Sequence, residues 1–335
     1  MVLGIGVFMA FRTLPGHGTV PATPASLTAQ QAAVVASTTL TPTSLPALAT
    51  TPQPSPIADS VRPISGVVMP KVVDHAAAPL RKPGAKDPNP TTDHVIVVDG
   101  ASGAILFQRN PFEPVAPASL TKIMTAIVGI EHGNLSDRPK IDVDARQMPN
   151  SSLMGLQPGF DVTFQDLLYG LLLPSGNDAA LAIARYVAGS DDKFVGLMNE
   201  KARWLGLRAT HFVNPHGLDA SGHYSCPYDM VVMARYAMQY PIFRQIVDTK
   251  DYEVKGSNID FTIYNVNPIL TYPWAIGIKT GLTDSAGRAL VGAATRGGHT
   301  VYVAFMRSQA GDLVDGTLLF DWAFDSFTWP NQGTP

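Results

Sequence analysis

The stretch His94-Val-Ile-Val-Val-Asp99 continues through the turn residues Gly100 and Gly103 into a second apolar run, Ala104-Ile-Leu-Phe-Gln108. Two apolar runs joined by glycine-containing turn residues predict a β-hairpin. Further strand-like runs occur late in the chain, at 260–264, 275–280, 289–295 and 300–306. Gly297-Gly298 between the last two predicts a second hairpin turn. The sequence therefore places strands near both ends of the folded part.

Helical patterns fill the region between these two groups of strands. Thr163-Phe-Gln-Asp166 has the form of a capping box, which predicts the start of a helix that runs to Leu172. Other helices are predicted over 118–131, 178–188, 191–205, 229–239 and, as an amphipathic C-terminal helix, 312–327. Strands at both ends with helices between them predict an α/β (α+β) fold, in which an antiparallel sheet is flanked by helices and carries an inserted helical lobe.

The first 90 residues differ in composition from the rest of the chain. They contain 14 of the 28 prolines, and no Phe, Tyr or Trp occurs between Phe11 and Phe107. Such a segment buries too little apolar surface to offset the entropy lost on ordering, so a disordered Pro/Thr/Ala-rich linker is predicted over 13–90. The short apolar run over 1–12 is interpreted as the remnant of an export segment. The folded domain is expected over 91–329, with a tail over 330–335.

Charge and cysteine content exclude several classes of protein. The chain has a net charge of −3, whereas nucleic-acid binders usually carry an excess of positive charge, so no nucleic-acid partner is expected. Cys226 is the only cysteine, which rules out an intrachain disulfide and a cysteine-based zinc site. His211, His216 and His223 match no common zinc spacing, so no metal and no cofactor are predicted. These histidines are instead expected to form a loop with hydrogen bonds near a site.

Two Ser-x-x-Lys tetrads occur, and they differ in context. In Ser190-Asp-Asp-Lys193 the acidic residues fall in the first turn of a predicted helix, which is typical of an N-cap. In Ser119-Leu-Thr-Lys122 a lysine occupies the first turn, where the helix dipole disfavours a cation and lowers the pKa of the amine. A spacing of three residues puts Ser119 and Lys122 on one helical face. The second tetrad is compatible with a serine activated by a neutral lysine, and equally with a plain helix cap.

Two other motifs present polar groups from a loop and from a strand. Ser175-Gly-Asn177 lies in a short break between two predicted helices, where taken alone it is most simply a capped loop. Lys279-Thr280-Gly281 lies on a predicted strand, and period-two alternation puts Gly277, Lys279 and Gly281 on one face. Glycines beside a lysine leave space for a ligand or another backbone to approach. A strand end followed by a turn also explains this motif.

The order of the three motifs resembles that of the penicillin-recognising serine acyltransferases. The sequence is most similar to one branch, the D-alanyl-D-alanine carboxypeptidases, which are low-molecular-mass penicillin-binding proteins. The segments that carry the resemblance are Pro117-Ala-Ser-Leu-Thr-Lys-Ile-Met-Thr125, Asp166-Leu-Leu-Tyr-Gly-Leu-Leu-Leu-Pro-Ser-Gly-Asn-Asp178, His211-Phe-Val-Asn-Pro-His-Gly-Leu218 with Gly222-His-Tyr-Ser225, and Gly277-Ile-Lys-Thr-Gly-Leu-Thr-Asp-Ser-Ala-Gly287. The resemblance covers roughly residues 92–328 and implies the fold of the serine β-lactamases and penicillin-binding proteins.

The resemblance implies a serine-type carboxypeptidase that removes the terminal D-alanine from peptidoglycan stem pentapeptides through an acyl-enzyme. It implies three catalytic residues: Ser119 as nucleophile, Lys122 as base and Ser175 as proton relay. The substrate-binding residues that it implies are Asn177, Lys279, Thr280, Gly281 and Leu282. β-Lactam antibiotics would then be covalent inhibitors. The enzyme would act outside the cytoplasm, in the periplasm or cell wall or as a secreted protein.

The sequence departs from the pattern of this family in two places. Better-known relatives continue into a C-terminal β-rich domain and an amphipathic anchor helix, and this chain ends at Pro335 with neither. Membrane attachment is therefore expected only through the N-terminus. Val266 stands where some relatives carry an arginine that receives the carboxylate of the substrate.

Three alternative functions stay open at the level of the sequence. Endopeptidase or transpeptidase activity on peptidoglycan cross-links uses the same motifs, because the motifs do not identify the acceptor. A serine β-lactamase also shares them, but class A enzymes need a glutamate, and neither Glu200 nor Glu253 stands in a Glu-x-x-Leu-Asn context. A wall-tethered binding module without turnover would be expected to lack one of the acting residues, all of which are present.

Overall fold

The computed structural model describes residues 68–330, which are built around an antiparallel sheet of five strands. The strands are β1 (Leu80–Arg81), β2 (His94–Asp99), β3 (Ile105–Arg109), β4 (Asp251–Lys255), β5 (Asp260–Tyr264), β6 (Ala275–Thr283), β7 (Gly287–Arg296), β8 (His299–Ser308) and β9 (Phe327–Thr328). The main sheet has the order β3-β2-β8-β7-β6, so the N-terminal hairpin forms one edge and β6 forms the other. Two separate pairs, β1 with β9 and β4 with β5, lie outside the main sheet.

Helices form the inserted lobe on one face of the main sheet and cover the other face of the same sheet. The α-helices are α1 (Lys122–His132), α2 (Phe164–Leu172), α3 (Asn177–Ala188), α4 (Asp191–Leu205), α5 (Pro227–Ala237), α6 (Pro241–Asp248) and α7 (Asp312–Ser326). Short 3-10 helices span Ala118–Thr121, Ala145–Gln147 and Pro268–Thr271.

The two faces of the sheet bury different sets of side chains. Along β2, Ile96 and Val98 belong to the large core formed with the helices from α1 to α6. The alternating residues Val95 and Val97 belong to a second core formed with α7, as expected for a strand buried on both faces. The 3-10 helix Ala118–Thr121, which leads into α1, contacts β6. This contact brings the Ser-x-x-Lys tetrad to the edge strand that carries the lysine motif.

The predicted fold class is confirmed, and most predicted elements are present. The capping box forms, because Thr163 Oγ1 accepts the N–H of Asp166 and a carboxylate oxygen of Asp166 accepts the N–H of Thr163. Ser190 caps α4 with its side chain, as its tetrad predicts. Neither α6 nor β4 was predicted, because both are short segments, for which apolar periodicity alone does not distinguish a helix from a strand.

The folded domain extends further toward the N-terminus than the sequence predicts. A linker is predicted up to residue 90, but Leu80–Arg81 pairs with Phe327–Thr328. The hydroxyl of Tyr236 donates to the carbonyl of Met69 at 3.1 Å, and the N–H of Met69 donates to the hydroxyl of Tyr240 at 3.2 Å. Residues 69–81 make these contacts through their backbone groups, and amino-acid composition does not predict such contacts. The boundary at residue 91 is thereby corrected.

Other parts of the predicted organisation fall outside the described residues. They are the predicted export segment, the linker up to residue 67 and residues 331–335 of the tail. None of the helices within residues 68–330 has the length and apolarity needed to cross a bilayer.

Candidate active site

Ser119 lies in the tight 3-10 turn that leads into α1, and it is partly exposed. Two glycines let other segments approach this turn closely. A Cβ at Gly281 would lie 3.0 Å from Ala118 Cβ and 3.2 Å from Ser119 N, so β6 passes directly beside the turn. A Cβ at Gly217 would overlap the carbonyl oxygen of Ala118. The turn is therefore held between β6 and the loop that joins α4 to α5.

Lys122 is the first residue of α1 and is completely buried. Its Nζ lies 2.9 Å from Ser119 Oγ, 2.7 Å from Asn177 Oδ1 and 2.7 Å from the carbonyl oxygen of His216. The amide oxygen and the carbonyl oxygen can only accept hydrogen bonds, whereas the serine hydroxyl can also donate. A neutral amine has two N–H groups and one lone pair. It satisfies this set when both N–H groups reach the two oxygens and the lone pair faces the hydroxyl of Ser119.

The electrostatic surroundings favour this neutral form. Burial, and then the nearby charge of Lys279, hold the pKa of Lys122 well below its usual value, against an opposing contribution from Asp178. The sequence predicts this direction from the helix dipole. The structure confirms the direction, with burial as the leading cause, because an ammonium group loses its hydration in the interior. A neutral amine next to a hydroxyl is the pairing that general-base activation of a serine requires.

Ser175 and Asn177 lie at the start of α3. Asn177 is buried, and its Nδ2 donates to Ser151 Oγ at 2.6 Å. Ser175 has a φ of 62°, a left-handed backbone conformation that costs a residue with a side chain about 1–3 kcal/mol. Its Oγ is buried and makes no hydrogen bond within the described residues. The hydroxyl of Ser175 is thus held near Asn177 in the chain and has no hydrogen-bond partner among the described residues.

Lys279 projects from β6 and is only 2% exposed. Its Nζ donates to the carbonyl oxygen of Thr280 at 2.9 Å. Burial lowers the pKa of Lys279 to about 7, and the carboxylate of Asp312 partly offsets this effect. Thr280 and Leu282 alternate to the other face of the strand, and Leu282 is 61% exposed. The edge strand therefore presents a buried cation on one face and the exposed side chain of Leu282 on the other.

The loop between α4 and α5 completes the surroundings of Lys122. His223 Nδ1 accepts the N–H of Val213 at 3.0 Å, so its Nε2 carries the proton and donates to Thr121 Oγ1 at 2.8 Å. Burial lowers the pKa values of His216 and His223 to about 4, so both rings are neutral at pH 7. His216 contacts Lys122 through its backbone carbonyl. The expectation that these histidines form a hydrogen-bonded loop near the site is confirmed.

The structure brings most of the predicted site residues to one place. Those gathered around the turn are Ser119, Lys122, Asn177, Lys279 and Gly281. Sequence reasoning missed Ser151 and the carbonyl of His216. Ser151 is separated from its partner Asn177 by 26 positions, and a backbone carbonyl has no sequence signature. Only the folded arrangement reveals these two groups.

Comparison with known proteins gives the family. Residues 82–310 match the family model described as D-alanyl-D-alanine carboxypeptidase. The chain belongs to this family. The family predicted from the motifs is thereby confirmed, and the matched region contains each of the predicted site residues.

Curated proteins and solved structures are similar to most of this chain. The carboxypeptidase DacF of Bacillus subtilis is 34% identical over 241 residues, which are 69% of this chain and 62% of DacF. DacB2 of Mycobacterium tuberculosis is 38% identical over 237 residues, 68% of this chain and 81% of DacB2. The crystal structure of a Streptomyces DD-transpeptidase has 35% identity and a TM-score of 0.67, covering 72% of this chain and 99% of that one. The chain thus spans less than two thirds of DacF but nearly all of the transpeptidase.

Proposed function

We propose that this protein is a serine D-alanyl-D-alanine carboxypeptidase that releases the terminal D-alanine of peptidoglycan stem pentapeptides through an acyl-enzyme. The observation that carries the proposal is the environment of Lys122: a fully buried amine 2.9 Å from Ser119 Oγ, with its other two partners restricted to accepting. Membership of the family supports the substrate class.

Acylation begins with attack by Ser119 Oγ on the carbonyl carbon between the two terminal D-alanines. The hydroxyl proton passes to the neutral Nζ of Lys122 as the new C–O bond forms. The tetrahedral intermediate then expels the amine of the last D-alanine. Ser175 relays the proton from Lys122 to this leaving amine, a role that its unpaired, buried Oγ supports. Water later attacks the ester, releases the shortened peptide and restores the proton to Ser119.

Backbone and charged groups stabilise the reacting carbonyl and hold the peptide. The N–H groups of Ser119 and Leu282 receive the oxyanion, and loss of one such donor costs about 3–4 kcal/mol in other enzymes. The edge position of β6 allows an extended peptide to add as a further strand along Thr280 to Leu282. Asn177 orients the substrate amide. Lys279 keeps Lys122 neutral by its charge and attracts the terminal carboxylate of the peptide.

Arg288 provides a second cation for this carboxylate. Val266, where some relatives carry an arginine, is an exposed apolar residue. Arg288 pairs with Leu282 across the ladder between β6 and β7, so it is a diagonal neighbour of Thr280 on the same face. Its Nη1 is 4.0 Å from Asp312 Oδ2, too long for a strong ion pair, and the side chain is about half exposed. We assign to Arg288 and Thr280 the binding of the carboxylate.

A second function on the same chemistry is transfer of the acyl group to an amine. A Streptomyces protein named as a DD-transpeptidase matches this chain along 99% of its own length. Transpeptidase or endopeptidase activity on cross-links would use the same acyl-enzyme, with an amine replacing water or a cross-linked peptide replacing the pentapeptide. The reaction would in each case take place outside the cytoplasm, where stem peptides and β-lactams are encountered, with the N-terminus as the proposed point of attachment.

The test is a labelled penicillin followed by mass mapping of the modified peptide. Wild-type protein is expected to carry one label on the peptide that contains Ser119, and Ser119→Ala is expected to carry none. The other tetrad, Ser190-Asp-Asp-Lys193, offers a matched control, because Ser190→Ala removes a helix cap and is expected to leave labelling unchanged. A label elsewhere in the chain would overturn the assignment of the nucleophile.

Turnover then separates the activities. A synthetic peptide ending in D-Ala-D-Ala is incubated with the enzyme, with and without an added amino acid as acceptor. Release of free D-alanine in water identifies a carboxypeptidase, and an acceptor-linked product identifies a transpeptidase. Stoichiometric labelling by penicillin without release of D-alanine would contradict the proposed function and indicate a binding module.

A further inference from the structure

Ser151 contacts the site from a loop that none of the three motifs contains. Asn177 Nδ2 donates to Ser151 Oγ at 2.6 Å, while Oδ1 of the same amide accepts from Lys122 Nζ at 2.7 Å. Asn177 is 3% exposed, so its amide depends on protein groups for its hydrogen bonds. Ser151 therefore binds the nitrogen of the Asn177 amide, while the oxygen of the same amide faces Lys122, the proposed base.

The loop that carries Ser151 is fastened to α3 by several hydrogen bonds. The N–H of Asn177 donates to the carbonyl of Ser152 at 2.8 Å. The carboxylate of Asp178, which is completely buried, accepts the N–H groups of Met154, Gly155 and Leu156 at 2.8, 2.8 and 2.9 Å. Ser151 is thus held at a fixed position relative to Asn177, although 26 positions separate the two residues in the chain.

The orientation of the Asn177 amide decides what the lone pair of Lys122 can do. With Oδ1 toward Lys122, the amine donates to the amide and keeps its lone pair for the proton of Ser119. With the amide turned by 180°, Nδ2 would donate to that lone pair, which would no longer be available to Ser119. The hydroxyl of Ser151 can accept from Nδ2 or donate to Oδ1, so it satisfies the far end of the amide in either orientation, including the observed one with Oδ1 toward Lys122.

Without the hydroxyl at position 151, this balance changes. The observed orientation would then leave a buried N–H of Asn177 unpaired, whereas the turned orientation would leave only a carbonyl oxygen unpaired. A buried N–H without a partner is the less tolerated of the two. The turned amide would therefore become the preferred one, with its N–H on Lys122.

We propose that Ser151 is a positioning residue for the acylation reaction: its hydroxyl pairs the far N–H of Asn177, so Oδ1 can face Lys122 without an unpaired buried N–H, and the amine stays free to take the proton of Ser119. This inference rests on the proposed function. It adds residues 151–156 to the three motifs and the loop between α4 and α5 that surround the nucleophile.

The experiment compares the rate of acylation by a fluorescent penicillin in wild type and three variants, over a range of pH. Ser151→Ala is expected to acylate about tenfold more slowly, in line with the loss of one buried hydrogen bond. Ser151→Thr retains a hydroxyl on a partly exposed side chain and is expected to restore the rate. The matched control is Ser152→Ala. Ser152 is an exposed neighbour that contacts Asn177 only through its backbone carbonyl, and this carbonyl is kept in the variant.

The pH profile distinguishes positioning from a general loss of structure. The turned amide donates to the neutral amine and offers no acceptor to the ammonium, so it lowers the pKa of Lys122 further. The rising limb of the Ser151→Ala profile is therefore expected at lower pH than in wild type, with a lower maximum rate. A reduced rate with an unmoved limb, or equal rates in Ser151→Ala and Ser152→Ala, would overturn the inference. Failure of wild type to label at Ser119 would instead overturn the proposed function.

Discussion

Substitution of Gly217 by alanine tests whether the loop between α4 and α5 fixes the position of the nucleophile. A Cβ at Gly217 would lie 2.5 Å from the carbonyl carbon of Ala118, where about 3.5 Å is comfortable, and 3.0 Å from Ser119 N. The loop and the turn must therefore move apart by about 1 Å, which displaces Ser119 relative to the carbonyl of His216. A displacement of that size at a reacting group costs about 100-fold in rate, or about 2.7 kcal/mol. We expect Gly217→Ala to lower the rate of penicillin acylation by about this factor, as measured by stopped-flow fluorescence.

Gly222 provides the matched control for this prediction. Both glycines have positive φ, 94° at Gly217 and 81° at Gly222, so both substitutions carry a backbone cost of about 1–2 kcal/mol. A Cβ at Gly222 would meet nothing closer than 3.8 Å. Gly222→Ala is therefore expected to lower the free energy of unfolding and to keep the acylation rate within about twofold. Equal acylation rates in the two variants would refute the reasoning, because the backbone cost alone would then explain the effect.

Three further predictions follow from the charges and caps of the domain. The rate of acylation should rise with pH as Lys122 loses its proton, and fall above about pH 7 as Lys279 becomes neutral. Lys279→Arg should abolish the fall at high pH, as measured by stopped-flow fluorescence over a pH series. Arg288→Ala should raise KM for a D-Ala-D-Ala peptide with little change in kcat, whereas Arg296→Ala on the same strand should change neither; an unchanged KM in the first variant would contradict the carboxylate assignment. Thr163→Ala should lower the free energy of unfolding in urea by about 1 kcal/mol, and Thr163→Ser should retain it.

Local sequence signals predicted the parts of the domain that depend on neighbours in the chain. The capping box at Thr163 and the cap at Ser190 each involve residues three positions apart, so their geometry is contained in the sequence. The proximity of Ser119 to Lys122 follows from helical spacing in the same way. The order of the motifs then identified the family, which no single motif did.

Features that depend on tertiary packing could not be read from the sequence. The low pKa of Lys122 was attributed to the start of a helix, but its leading cause is complete burial, which requires Asn177 and the His216 loop to close over the amine. The strand pair β1 and β9 joins the first and last described elements, and its two-residue strands carry no periodic pattern. Ser151 reaches the site because Asp178 binds its loop, a contact that no spacing rule indicates.

The position of β6 at the edge of the main sheet has a consequence for the behaviour of the protein at high concentration. A strand edge that can accept a substrate peptide can also accept the same strand of a second molecule, which is a route to self-association. Two features of β6 oppose such pairing: the irregular register near Gly277 and the inward-pointing charge of Lys279. The groups that prepare the strand for chemistry therefore also limit aggregation.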